Sequence, residues 1–169
     1  MAKQIVNRVA NSVLKTIDLE ELYPLGARVA FDIAPWLQEG IILREKDFRV
    51  SVSGHPWEQY KNQYVSIHCT ADAIIPAWAF MLVSTKLIPH AKKTVIGSQQ
   101  TLETILFTEV LNTLDVSQYQ DTPIIIKGCA NKPIPAAAYG MLISKLQPIA
   151  KSILFGEACS SVPIYKTKK

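Results

Sequence analysis

Apolar positions along the chain follow two rhythms, short runs rich in β-branched residues and longer stretches spaced three and four apart, and the two alternate. Val65-Ser66-Ile67 and Ile124-Ile125-Ile126 are the clearest short runs. Each is followed by an Asx residue (Asp72, Asn131), then a proline (Pro76, Pro135), then apolar residues at helical spacing. Asp72 and Asn131 are favourable N-cap types and a proline is harmless in a first turn, so helices are expected to start nearby. They should stop before Pro89 and Pro148, because proline lacks a donor and disfavours helical geometry in the residue before it. A second strand follows each helix, Lys93 to Gly97 and Ser152 to Gly156.

The strand–helix–strand pattern occurs twice because the sequence itself does. Residues 75–97 and 134–156 share ten identities in 23 positions at a fixed offset of 59, among them Lys86/Lys145, Pro89/Pro148 and Gly97/Gly156. Ser98 to Thr101 offers an N-cap between the copies, and Leu102, Ile105, Leu106, Val110 and Leu114 lie on one helical face.

Strands alternating with helices predict an α/β domain spanning 1–169, with a mainly parallel sheet, right-handed crossovers and helices on both faces in three layers. For two βαβ units the simplest strand order is 2-1-3-4. That order sets the first strands side by side, so that Cys69 and Cys129 end adjacent central strands where the winding reverses, the usual ligand crevice. The duplicated core is expected over 61–160. Residues 1–60 are expected to form an N-terminal α+β layer or edge, with a strand at Arg28 to Ile33 and helical turns over Pro35 to Gln38 and Leu43 to Val52. Asp32 reads either as a cap for the first turn or as a carboxylate brought to the crevice.

Composition narrows the setting. With 169 residues, 49% of them apolar, the chain can bury a core without disulfide or metal staples. Three well-separated cysteines and an opening without a signal-like segment fit a reducing cytoplasm. The longest apolar stretch, Ala73 to Val83, is interrupted by Pro76 and too short to span a bilayer. The net charge of +4 is dispersed apart from Lys166 to Lys169, which reads as a solvated tail rather than a nucleic-acid arm.

In the predicted order Cys69, Cys129 and Cys159 all reach the carboxyl edge of the sheet. Three thiolates with Asp72 as a fourth donor would suit zinc or iron, and His68 could replace Asp72. Two features oppose this: there is no Cys-x-x-Cys, and His68 and Cys69 face opposite ways while the strand continues. Structural cysteines therefore stay open as a reading. So does a nucleophilic Cys69 or Cys129 activated by a helix N-terminus, with His68, His55 or His90 as base by elimination. Lys127 interrupts an apolar strand, either to reach solvent or to hold a thiolate anionic. Glu157 would add a carboxylate to the rim, while Trp36 and Trp78 read as core packing.

The stretches Cys69 to Pro76, Lys127 to Pro133 and Gly156 to Pro163, with Ile5 to Ala10, resemble an uncharacterised bacterial family of proteins of this length. The resemblance implies a cytoplasmic bacterial protein, with genes for iron–sulfur assembly components as neighbours. The expectation is an accessory in metal or iron–sulfur handling that works with protein components of that system and uses Cys69, Cys129, Cys159 and Asp72. A non-catalytic binding or assembly module and a cysteine enzyme are the alternatives.

Overall fold

The computed structural model describes residues 13–128, 131–157 and 159–167. Its α/β chain separates into two compact units, residues 25–106 and, around them in sequence, residues 1–24 with 107–169. Helix α3 (Gln99–Thr113) contributes its first half to the former and its second half to the latter.

The inner unit carries β2 (Arg28–Asp32), a 3-10 turn at Ala34–Trp36, α1 (Glu45–Gly54), β3 (Tyr64–His68), α2 (Ala77–Leu87) and β4 (Lys93–Ile96). Its sheet is parallel throughout in the order β2-β3-β4. Because sequential parallel strands with right-handed crossovers place successive helices on one face, α1 and α2 share a core. Phe48 and Val52 of α1, and Ala79, Val83 and Leu87 of α2, bury against Phe31, Val65 and Ile67. Trp36 and Trp78 pack on the same cluster, as expected of them. Alternation turns Tyr64 to the other face, where it meets Val95, Leu102 and Leu106.

The outer unit carries β1 (Lys15–Asp18), the rest of α3, β5 (Pro123–Lys127), α4 (Ala136–Leu146), β6 (Ser152–Glu157) and β7 (Ser160–Lys166). Its sheet runs β1-β5-β6-β7, parallel except for the β6/β7 hairpin.

The offset of 59 reappears as geometry. The register Tyr64↔Lys93 to Ile67↔Ile96 has its counterpart in Pro123↔Ser152 to Ile126↔Phe155, and α2 corresponds to α4 end to end. Loop bonds recur as well. The Asn62 amide donates to His90 O (3.1 Å) and that of Asp121 to Ile149 O (2.9 Å); Asn62 and Asp121 both hold positive φ. Buried positions correspond outside the segments alike in sequence, with Phe48 matching Phe107, Val52 matching Leu111 and Tyr60 matching Tyr119. Even the edge strands agree: Asp32 and Asp18 each end a strand, and each accepts an amide two residues on through Oδ1 at 2.9 Å.

Three expectations are corrected. The single sheet of order 2-1-3-4 is replaced by two sheets, because β3 is already flanked by β2 and β4, and β5 by β1 and β6, so neither has a backbone edge left for the other. Neither order reverses, so the switch-point crevice loses its premise. Asp72 and Asn131 do not cap the helices; the N-cap positions are Pro76 and Pro135, with ψ near 140° at each (140 and 141). Finally, Lys166, expected to open a solvated tail over Lys166 to Lys169, instead ends an edge strand, Ser160–Lys166; residues 168 and 169 lie outside the described residues. Pro163 masks this strand in sequence, yet an edge tolerates a residue without a donor, and the register shifts opposite Ile153/Leu154 accordingly.

Candidate functional site

In parallel sheets the strand C-termini gather loops and helix starts, and both units place their chemistry-bearing residues there. In the inner unit the last register pair is Asp32↔His68. Asp32 Oδ2 accepts the Thr70 hydroxyl at 2.5 Å, and Oδ1 accepts the amides of Ala34 (2.9 Å) and Thr70 (3.0 Å). Burial works against the carboxylate, but the Thr70 hydroxyl, the two amides and nearby His68 together outweigh it and hold Asp32 below its ordinary pKa. The N-cap role foreseen for Asp32 falls instead to Ile33, which makes no side-chain cap bond; Asp32, one residue earlier, holds the Ala34 amide in a local turn and ties the β3 exit loop to β2. His68 Nδ1 is buried without a hydrogen-bond partner.

Cys69 leaves β3 on the face opposite His68. Its thiol, half-buried, packs on the inner unit's core and lies 3.9 Å from Ala71 O. Residues 70–76 separate it in sequence from the start of α2. Asp72 is exposed in that loop. Cys159 is exposed in the β6/β7 turn of the outer unit, and Cys129 lies outside the described residues. Among the described residues no group of three or more His, Cys, Asp or Glu side chains is placed to hold a metal ion.

His55 and His90, the remaining histidines, sit away from these strand ends in sequence. His55 is embedded in aromatics, stacked on Tyr60 at 17° with Nε2 2.8 Å from its hydroxyl. His90 lies in the turn after α2, its amide bonded to Leu87 O.

At the equivalent rim of the outer unit the register pair is Asp18↔Lys127. Lys127 Nζ meets Glu157 at 2.6 Å, so the two rim charges singled out in sequence pair with each other. Gly128 follows Lys127 because the Tyr139 hydroxyl occupies the space a Cβ would need.

The outer unit also holds a feature not foreseen in sequence. Ile126, Tyr139, Ile143, Phe155 and Ile164 line an apolar trough of about 280 Å³ on the helix-bearing face of the sheet, toward β7. Its origin is topological. Parallel pairs need crossovers, which supply α3 and α4, whereas a hairpin turn joins β6 to β7 and brings no helix. Val162 and Ile164 consequently remain 60% and 51% exposed. The only sequence signal was the alternation in Ser161-Val162-Pro163-Ile164-Tyr165, broken by the proline.

No helix among the described residues is long and apolar enough to cross a membrane. No curated protein and no solved structure matches the chain. One family model does, over residues 3–167, nearly the whole chain, and by that match the protein belongs to the family described as "Protein of unknown function (DUF2480)".

Proposed function

We propose that this protein is a binding module whose outer unit receives an amphipathic helix of a partner protein in the trough between α4 and β7. The observation that carries this reading is a trough lined by five apolar side chains over the one strand pair joined without a helix. A helix about 10 Å across covers two strands spaced about 4.8 Å apart, so one more helix would complete the layer begun by α3 and α4. Its apolar side chains at i, i+3/i+4 and i+7 would meet Phe155, Val162 and Ile164. A hollow at the start of β6 and the end of β7 is lined by Lys151 and Lys166 against the one carboxylate of Asp121, and this positive balance favours the negative C-terminal end of such a helix there.

A photo-crosslinking side chain at Val162 tests this in cells. Crosslinks are expected to fall on one partner segment of helical apolar periodicity and to drop about tenfold with Ile164→Asp, the loss of well-packed apolar contact being worth that much. Crosslinks scattered over unrelated segments, or unchanged by Ile164→Asp in a folded protein, would overturn the reading.

A further inference from the structure

β6 and β7 carry two kinds of surface along one line. Phe155 and Ile164 line the apolar trough, and at the start of β6 a hollow of about 710 Å³ is lined by Asp121, Lys151, Lys166 and Thr167. Lys151 extends the β5/β6 ladder by donating its amide to Thr122 O (3.0 Å), and alternation sets it on the face of Phe155, four residues on. Lys166 follows Ile164 by two residues in β7. Thr167 closes this end of the hairpin, donating its amide to Lys151 O (3.1 Å) and its hydroxyl to Ala150 O (3.2 Å).

The charges of the hollow are not spent on one another. Among the described residues neither the Lys151 nor the Lys166 ammonium has a hydrogen bond or an ion pair. Asp121 accepts from Gln120 Nε2 at 3.4 Å and pairs with neither lysine. In the inner unit the lysine equivalent to Lys151 is engaged: Lys92 Nζ donates to Leu25 O (3.1 Å) and sits 4.8 Å from the centre of the Tyr64 ring. Two ammoniums against one carboxylate leave a single positive charge, which one further carboxylate would neutralise.

We propose that the trough takes the C-terminal helix of a partner protein, antiparallel to β6, with its free α-carboxylate seated between Lys151 and Lys166. This rests on the trough being the docking face for a helix, and it names which helix. A helix C-terminus brings the negative end of its dipole and a full carboxylate to one point, and capture of a C-terminal carboxylate is a recurring mode of peptide recognition. Spacing sets the register. Lys151 to Phe155 covers about 13 Å at about 3.3 Å per strand residue, and a helix rises about 1.5 Å per residue. The residue that meets Phe155 therefore comes about nine positions before the terminus.

The test uses the full chain, labelled for amide NMR, and an acetylated alanine–glutamine peptide with leucines nine, five and two places before its C-terminus. It is made once as the free acid and once as the C-terminal amide. Both are expected to shift Phe155 and Ile164, with the acid bound about fivefold more tightly at low salt and the difference shrinking at about 0.5 M salt. Lys151→Gln and Lys166→Gln should each weaken the acid and leave the amide unchanged. Equal binding of acid and amide, with shifts still in the trough, would overturn the proposal and leave the trough as a helix site. Shifts by neither peptide at Phe155 and Ile164 would count against the trough itself and remove both. Inorganic phosphate that occupies Lys151 and Lys166 more tightly than the acid peptide would make the hollow a free-anion site and also overturn the proposal. The comparison of acid with amide uses unmodified protein, so it holds whatever the two substitutions do to folding.

Discussion

His55 is enclosed by Phe31, Trp36, Trp57 and Tyr60, with ring centroids 4.6–5.7 Å away. Burial there disfavours the imidazolium and holds its pKa below the ordinary 6.5. The unfolded chain thus binds the proton more readily than the fold, so stability should decline as pH falls below about 6.5 and level off once the folded-state pKa is passed. Urea titrations from pH 7.5 to 5 should show that decline in the native sequence and a shallower one in His55→Gln. Asp32 has the opposite protonation preference, since its ionised form is the one the fold favours. Its contribution is complete above the ordinary 3.8 and disappears as pH falls through the lower folded-state value. Asp32→Ala should cost about 1–3 kcal/mol near neutral pH, the range for hydrogen bonds to a charged acceptor; denaturant midpoints measure it. That Asp32 bonds to the turn at Ala34–Trp36 was legible from its position before Pro35, because such a bond is local, although the N-cap itself is Ile33. Thr70, 38 positions away, was not.

At the scale of elements, identical residues at equivalent positions do different work. Lys145 and Lys86 correspond in the repeat, but the Lys145 ammonium reaches the C-terminal turn of α3, bonding Leu111 O at 2.5 Å, Leu114 O at 3.1 Å and Asn112 O at 3.3 Å. Lys86 is exposed. Lys145→Met should therefore destabilise the chain by about 1–2 kcal/mol, through carbonyls left without a donor. Lys86→Met should stay within about 0.5 kcal/mol. Thermal unfolding of the two variants side by side gives the comparison. The helices were legible to within a few residues, because apolar spacing and flanking prolines are local signals. Strands β1 and β7 were not, because Lys15–Asp18 and Ser160–Lys166 acquire their extended form by pairing with β5 and β6.

Across the whole molecule, the matched cores make a joint prediction. Phe48 and Phe107 are equivalent, both fully buried, one in the core of each unit. Phe48→Ala and Phe107→Ala should each cost about 3–5 kcal/mol. Amide exchange should localise the damage, with protection falling first in β3 for Phe48→Ala and first in β5 for Phe107→Ala. Loss of protection at both strands together in either variant would show that the cores do not respond separately. The sequence by itself determined that the chain is α/β, where its four longer helices run, and that a strand–helix–strand pattern recurs at an offset of 59. These follow from periodicity and proline placement, which act over one or two turns. Only the tertiary structure decided that there are two sheets rather than one, that Asp18 and Asp32 end equivalent edge strands, and that apolar side chains line a trough toward β7. Strand order depends on which backbone edges are already taken, and here β1 and β2 take them from more than 30 residues away.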